Sequence, residues 1–459
     1  MINTIVIISI IAILYIGLKT KSKPNSNSYL FAGRKLTLFP FVATLVSTWY
    51  GGILEIGRFS YENGIVTWLI FGFSYYIAAY IFSSFIAPKI ITKNIQTIPV
   101  LIEKAYGKVA AIISIVLILF ISSPAPYLKI LSSIFQFLWP INNFVGITIG
   151  AIISLIYVFK GGFNSIIRTD KIQFIFMYLG FIVMLISAYV NYGGIDFLIN
   201  NTPQNTFSIP GNLNWNTILI WGLIALVTFI DPSFYQRTFA GQSIKTVKSG
   251  IRLSILCWMV FDGLTVFTGI YASAILSDSI NENPYLLLSQ LLLPSFFQGI
   301  FIISLLFIVL STIDSFSFIS AYTFGKDLLN IVKIPIINNF SIKTKTQIGL
   351  LFTSIISIIL AYNFNEVIDI WYTSGSFAVS VLLLPILFYL YDKKFCYPLF
   401  NMICSLCITF GWFSYGMINK QFGYPIYPLN LEPMFPGLFT SIFIWITCDL
   451  FVRFNSSKQ

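Results

Sequence analysis

Apolar segments long enough to cross a bilayer recur along almost the whole chain. A helix of roughly 20 apolar residues spans the hydrocarbon core of a bilayer. The pattern predicts thirteen helices, at about 3–18, 37–58, 66–88, 109–137, 141–159, 165–190, 215–237, 251–277, 295–324, 346–362, 367–391, 396–417 and 433–452. Since 57% of the residues are hydrophobic and only 9% are charged, the chain cannot cover these helices with a water-facing surface. The sequence predicts an all-α polytopic membrane protein.

The distribution of Lys and Arg predicts how the chain is oriented. If the N-terminus lies outside, 24 of the 27 basic residues fall in cytoplasmic segments, and the exceptions are Arg58, Lys129 and Lys420. Basic residues concentrate in cytoplasmic loops. We therefore expect a multi-pass protein of the inner (plasma) membrane with a cytoplasmic C-terminus. The net charge of +11 is explained by this topology, so we expect the lipid bilayer as a partner and no nucleic acid.

The absence of histidine narrows the chemistry. With no His in the chain, Ser–His–Asp and Cys–His nucleophile pairs and His proton relays are excluded. The polar stretches are short and offer no soluble domain for catalysis. We expect no enzyme, although a membrane-embedded transferase with a reactive cluster at one interface is an alternative.

Ionisable side chains inside apolar segments mark candidate functional positions, because charges at membrane depth are costly. They are Glu55, Arg58, Lys129, Asp170, Asp262 and Asp314, with Asp231 and Asp369 near segment ends. Some have a simpler explanation: Arg58 can extend to the interface, and Asp262 and Asp369 can be neutral in a packed bundle.

A stripe of hydroxyl groups occupies segment 308–315. Ile308, Ser311, Thr312 and Ser315 are spaced i, i+3, i+4 and i+7, so they share one helix face, and Asp314 lies beside them. Several oxygen ligands with a carboxylate suit a hard cation. The alternative is that the hydroxyls bond to the preceding turn or to a neighbouring helix.

Segment 47–55 contains a glycine pair, Gly51 and Gly52, followed by Glu55. This pattern predicts a break in the helix. Broken helices near the bilayer midplane expose backbone groups to ions and substrates in secondary transporters. Close helix packing at the glycines is the alternative.

These segments resemble the sodium:solute symporter family, which includes bacterial proline and sialic-acid symporters and the sodium–glucose cotransporters. The resemblance is carried by four blocks, at 31–35 with 47–52, 161–173, 231–237 with the loop to 250, and 311–315 with 325–327. It implies a leucine-transporter-type fold with a 5+5 inverted-repeat core, one extra helix before it and two after it. The expected single domain spans 1–459, with the extra helix at 2–19, repeats at 36–190 and 215–391, and peripheral helices at 395–453.

The family resemblance also implies ion sites. A sodium ion would be bound by the carbonyls of Ser47, Tyr50 and Ile308 and the hydroxyls of Ser311 and Thr312. Some relatives hold a second sodium nearby, and the matching positions are Asp170, Ser311, Asp314 and Ser315. At position 314 an acid replaces what is often a hydroxyl, and the alternatives are a more negative site that holds its ion more tightly and a site that takes a proton instead. An alternative role for Asp170 is pairing with Arg168 or Lys171 at the inner interface.

The implied solute site lies at the break. Its expected residues are Trp49, Gly51, Gly52, Glu55, Lys129 and Thr228. The expected function is sodium-coupled symport into the cell, by alternating access, of a small organic acid or amino-acid-like solute. The protein would act as a monomer, with Na⁺ as its only cofactor. A proton-coupled carrier and a non-transporting sensor of the same fold are the alternatives.

Overall fold

The computed structural model of the chain describes residues 1–20, 26–276, 282–363, 367–420 and 425–456. In that part, ten helices are long and apolar enough to cross a membrane, and two further pairs form bent spans. The membrane helices and half-helices are α1 (Ile2–Leu18), α2 (Leu38–Trp49), α3 (Ile53–Asn63), α4 (Val66–Thr92), α5 (Lys108–Leu138), α6 (Asn143–Gly161), α7 (Phe163–Tyr192), α8 (Trp215–Ile230), α9 (Pro232–Ala240), α10 (Ile244–Ile275), α11 (Ser295–Val332), α12 (Ile342–Asn363), α13 (Val367–Leu390), α14 (Pro398–Ile418) and α15 (Met434–Ser456).

The all-α prediction is confirmed. Short helices connect the long ones, at Ser26–Phe31, Ile98–Tyr106, Ile195–Asn201, Pro284–Leu292 and Pro335–Asn338. In the described ranges the extended backbone forms no named strand, only an isolated bridge between Leu36 and Gly241. Helix α1 is apolar but has only 17 residues, so the total of thirteen spans stays a prediction.

The first broken span consists of α2 and α3, which are bent by 61°. Close contacts explain the glycine pair between them. A Cβ atom on Gly51 would overlap Tyr127 and Thr312, and one on Gly52 would overlap the ring of Trp371. The predicted helix break and the alternative of close packing at glycine are therefore both present.

The second broken span consists of α8 and α9, which are bent by 40°. The last turns of α8, Ala225–Ile230, tighten into a 3₁₀ helix. Asp231 then caps α9: its Oδ1 accepts hydrogen bonds from the backbone amides of Ser233 (2.6 Å) and Phe234 (3.3 Å). Pro232 follows as the first residue of α9, where its missing N–H is not needed.

Helix α2 lies in the centre of the bundle, against α7, α10 and α11. Helices α7 and α11 pack closely along their length, because Gly180 lets Ser304 approach its backbone. Helix α1 covers α6, α7 and α11, and α14 and α15 pack on each other beside α13. The first broken span thus lies among continuous helices, whereas α8 of the second has an exposed face with Trp215, Leu219 and Leu223.

Candidate ion-binding and solute-binding site

The hydroxyl stripe of α11 faces the end of α2. Thr312 Oγ1 donates a hydrogen bond to the carbonyl of Thr48 (2.8 Å), and Ser311 Oγ lies 2.9 Å from Ser47 Oγ. Ser315 Oγ and Thr48 Oγ1 are 3.0 Å apart. These side chains are buried. The first helix break is therefore where segments 47–52 and 308–315 meet. These segments are about 260 residues apart in sequence.

Asp170 on α7 joins this group. Its Oδ1 accepts a hydrogen bond from Ser311 Oγ (2.7 Å), and its Oδ2 accepts one from Thr44 Oγ1. The carboxylate is fully buried, and in the described part of the chain no ion pair joins it to Arg168 or Lys171. We refer to Thr44, Ser47, Thr48, Ser311 and Ser315, which surround Asp170, as the hydroxyl cluster.

Arg237 is the site residue that the sequence reasoning missed. It was counted among the cytoplasmic charges, but α9 carries it into the core, where it is fully buried. Its Nη2 atom donates to the hydroxyls of Thr48 (2.7 Å), Ser315 (2.9 Å) and Thr44 (3.0 Å). Its sequence signals were its place in block 231–237 of the family resemblance and on the helix that Asp231 caps. The guanidinium supplies a positive charge next to Asp170.

Asp314 points from α11 toward α6. Its Oδ2 accepts a hydrogen bond from the Tyr157 hydroxyl, and its Oδ1 is buried and has no hydrogen-bond partner. Tyr157 packs against Gly17 of α1, and Ser165 Oγ links the two by donating to both carbonyls. The unsatisfied Oδ1 atom is the kind of oxygen that a bound cation or a proton would satisfy.

The donor set fits a hard monovalent cation. Hydroxyl and carboxylate oxygens converge from α2, α7 and α11, and the last carbonyls of α2 have no partners further along the helix. The carbonyl of Ile308 accepts a hydrogen bond from Thr312 Oγ1 (3.2 Å). With Asp170 and Asp314 both ionised and Arg237 positive, the group has one net negative charge, which either an added cation or a proton on Asp314 would balance.

A cavity of about 170 Å³ adjoins the same break. We call it the aromatic cavity, because its lining includes Trp49, Tyr75, Tyr127, Trp221, Phe316 and Trp371. Asp231 from the second break and Asp262 from α10 also line it. The two broken spans therefore share one cavity.

The expected solute residues are distributed unevenly around this cavity. Trp49 and Gly52 line it, and Gly51 packs beside it against Tyr127. Glu55, Lys129 and Thr228 are not in the lining, although Val227, next to Thr228, is. Of the other membrane acids and bases, Arg58 is exposed, and the side chain of Asp369 lies outside the described part.

The sequence profile of the sodium:solute symporter family matches residues 29–398 of the chain. The chain belongs to the sodium:solute symporter family. Its coupling ion is sodium, and like its family it is a multi-pass membrane transporter of a small solute and not an enzyme.

Two curated members of the family align with nearly the whole chain. The osmoregulated proline transporter OpuE of Bacillus subtilis is 23% identical over 94% of this chain and 92% of its own length. Sodium/proline symporter 2 of Staphylococcus saprophyticus is 23% identical over 93% of this chain and 89% of its own.

Solved structures show the fold of this symporter. A Na⁺-coupled sialic acid symporter in a substrate-bound outward-open state superposes with a TM-score of 0.77 at 16% identity, covering 98% of each chain. A nucleobase-cation-symport-1 family transporter superposes with a TM-score of 0.62 at 14% identity, covering 94% of this chain and 96% of its own. The leucine-transporter-type fold implied by the sequence resemblance is confirmed.

Proposed function

We propose that the chain moves a small organic acid or amino-acid-like solute into the cell together with sodium, by alternating access. One observation carries the proposal: the hydroxyl stripe of α11 bonds directly to the end of α2 at the break, next to the aromatic cavity. An ion at this junction contacts both a discontinuous helix and a continuous one. Its binding is therefore coupled to their relative position.

The proposed sodium ligands are the carbonyls of Ser47, Tyr50 and Ile308 and the hydroxyls of Ser311 and Thr312. Two contacts support this set. Ser311 Oγ and Thr312 Oγ1 both reach α2, and the hydrogen bond from Thr312 to the Thr48 carbonyl is one that a cation would replace. Tyr50 ends α2 at the break, so its carbonyl is not committed to the helix.

A second sodium is proposed at Asp170, Ser311, Asp314 and Ser315. The unsatisfied Oδ1 atom of Asp314 and the hydrogen bond from Ser311 to Asp170 support it. Arg237 bonds to Ser315 at the same place, so an ion there would compete with the guanidinium for the hydroxyl. A proton on Asp314 is the alternative occupant.

The solute is proposed to bind at the first break, near Trp49, Gly51, Gly52, Glu55, Lys129 and Thr228. The aromatic cavity beside Trp49 and Gly52 supports this location. We further propose one domain over 1–459, with an extra helix at 2–19, inverted repeats at 36–190 and 215–391 and peripheral helices at 395–453. The N-terminus lies outside, the C-terminus is cytoplasmic, and the monomer is the functional unit.

The energy for uptake comes from the sodium gradient and the membrane potential. Moving one charge through 100 mV yields about 2.3 kcal/mol, which supports a solute gradient of about fiftyfold for each sodium ion. Sodium bound between α2 and α11 holds the break in its substrate-binding geometry. Rocking of the broken spans against the continuous helices then releases ion and solute inward.

The direct test is uptake of ²²Na⁺ into proteoliposomes, together with thermal stabilisation of the purified protein by NaCl against equimolar KCl. Sodium should stabilise the wild-type protein. Ser311→Ala should raise the half-saturating sodium concentration about tenfold, because a ligand oxygen is lost.

Ser304→Ala is the matched control. Ser304 is also buried on α11, but its hydroxyl bonds only to the Phe301 carbonyl of the same helix. Its replacement should leave the sodium response unchanged. Equal sodium responses in wild type and Ser311→Ala, or uptake driven by a proton gradient alone, would contradict the proposed ion site.

A further inference from the structure

The charges around the aromatic cavity have one sign. Among the described residues that line it, the only acids are Asp231 and Asp262, and there is no Lys or Arg. Lys129, the cation expected to hold an anionic solute, is not in the lining. A solute that entered this space as an anion would meet two carboxylates and no basic side chain.

Two tyrosine hydroxyls lie within hydrogen-bond distance of the Asp262 carboxyl group. Trp68 Nε1 donates to the Tyr76 hydroxyl (2.9 Å), so the proton of that hydroxyl is free to point at Asp262 Oδ2. The Tyr50 hydroxyl lies 2.8 Å from Oδ1. Tyrosine hydroxyls therefore lie at both oxygens of Asp262, where they can donate to its ionised form. The ion pairs in the described part of the chain do not include it.

Asp231 presents a second carboxylate at the other break. Both capping amides bond to one oxygen, Oδ1. The positive end of the α9 dipole stabilises its charge. Arg237 lies on the same helix but turns its guanidinium to Thr44, Thr48 and Ser315. No basic side chain therefore bonds to Asp231 at the cavity.

Aromatic rings form the rest of the wall. The Trp49 and Tyr75 rings are 5.3 Å apart, and the Tyr127 and Trp371 rings are 5.7 Å apart. The faces of such rings attract ammonium groups, most strongly when water is excluded. The indole Nε1–H of Trp371 is buried and makes no hydrogen bond of normal geometry, and the Tyr127 hydroxyl lies beside it, so an oxygen atom of a ligand would compete with that hydroxyl for the N–H.

From these contacts we infer that the transported solute carries a positively charged amine, which binds among the aromatic rings beside Asp231 and Asp262, and an oxygen acceptor for Trp371. The inference rests on the proposed function, because the aromatic cavity is the solute site of that proposal. Within the proposed solute classes it selects amine-bearing molecules over simple organic acids. Quaternary cations and zwitterionic amino acids share this chemistry.

The test is binding of small-molecule probes to the purified full-length protein in 150 mM NaCl, which is about the physiological ionic strength. Thermal shift and tryptophan fluorescence both measure this binding. The probes are choline, L-proline, L-lactate and 3,3-dimethylbutan-1-ol, a neutral isostere of choline. Choline or L-proline should stabilise the protein, and if choline binds, it should bind at least about tenfold more tightly than its isostere. A choline response without a proline response identifies a quaternary cation, and the reverse identifies a zwitterion.

Asp262→Asn and Asp231→Asn test the two carboxylates. Asn at 262 still accepts from one tyrosine through its oxygen and can donate its amide to the hydroxyl oxygen of the other, and Asn at 231 still caps a helix, so both variants should fold and keep the sodium response. Each should weaken amine binding at least about tenfold, whereas Asp196→Asn, outside the cavity, should not change it.

Several results would overturn the inference. They are binding of lactate without either amine, equal binding of choline and its isostere, no response to either amine, and unchanged amine binding in both cavity variants. If the sodium response persists in these cases, the proposed symport survives and only the solute class is wrong. Loss of the sodium response in the wild-type protein would instead contradict the proposed function.

Discussion

The hydroxyl cluster and the aromatic cavity lie beside the same broken span, but they differ in whether a basic side chain accompanies their acidic side chains. In the hydroxyl cluster the buried carboxylate of Asp170 is accompanied by a buried guanidinium, that of Arg237. In the aromatic cavity, Asp231 and Asp262 have only hydrogen-bond donors around them. The hydroxyl cluster contains its own counterion, Arg237, whereas a cationic ligand would have to serve as the counterion in the aromatic cavity.

This difference bears on how each region behaves without ligand. A buried charge without a partner is costly, so the hydroxyl cluster needs Arg237 to stay packed when no ion is bound. The aromatic cavity can hold water beside its carboxylates until the solute arrives. The ion site is therefore expected to depend on packing, and the solute site on its open volume.

The largest expected effect is the removal of the internal counterion. Arg237→Leu should lower the free energy of unfolding by about 3–5 kcal/mol, because Asp170 is left buried without a cation. Thermal unfolding in detergent measures this. Adding Asp170→Asn to Arg237→Leu should recover part of the loss, and fully additive losses would show that the two residues are not coupled.

The next largest effect is expected at the break. Gly52→Ala should cost about 1–3 kcal/mol, because the new methyl group overlaps Trp371 at the wall of the aromatic cavity. Gly411→Ala is the control, since a Cβ there meets no atom within 4 Å. Thermal unfolding should separate the two variants, and equal midpoints would mean that Trp371 moves aside without cost.

A smaller effect is expected from one ion ligand. Thr312→Val keeps the side-chain shape but removes the hydroxyl that reaches the Thr48 carbonyl. It should weaken sodium binding by about tenfold, and Thr312→Ser should retain most of the affinity. Sodium titrations followed by thermal shift measure both. A Thr312→Val protein with wild-type sodium affinity would remove this hydroxyl from the ligand set.

The smallest effect is expected at an ion pair outside both regions, between Lys93 and the exposed Asp392. Its hydrogen bond with Lys93 lowers the pKa of Asp392 below its usual 3.8. A lowered folded-state pKa means that the contribution is full above about pH 4 and is lost as the pH falls further. Asp392→Asn should hardly change the unfolding midpoint at pH 7. In 1 M KCl, where the screening length is about 3 Å, any difference in midpoint between the variant and the wild type should disappear. A large shift would mean that this exposed pair matters more than the buried charges.

The meeting of α2 and α11 at the proposed ion site was predictable in part because its signal is local. Ser311, Thr312 and Ser315 share a face through helical spacing alone, and the glycine pair at 51–52 predicts the break that they meet. The membrane spans follow in the same way from runs of apolar residues. The family resemblance supplied what spacing does not contain, namely that these two segments come together at Asp170.

The aromatic cavity was not predictable by the same reasoning. Its two carboxylates were recognised as acids in apolar segments, but their shared space depends on the packing of α8, α10 and α13 around the first break. Trp371 gave no sequence signal, because an isolated aromatic residue in a membrane helix is common. Arg237 was misread because its position near a helix end resembles that of an interfacial charge.

The contact between Gly17 and Tyr157 gives the first helix a purpose beyond anchoring. Tyr157 hydrogen-bonds to Asp314, and the backbone of α1 at Gly17 packs directly against the Tyr157 ring. Helix α1 thereby covers one side of the polar centre of the bundle. Without α1, the Tyr157 ring and the Asp314 carboxyl group behind it would lose the helix that packs over them. Water that entered along Tyr157 would give sodium a route across the protein without solute.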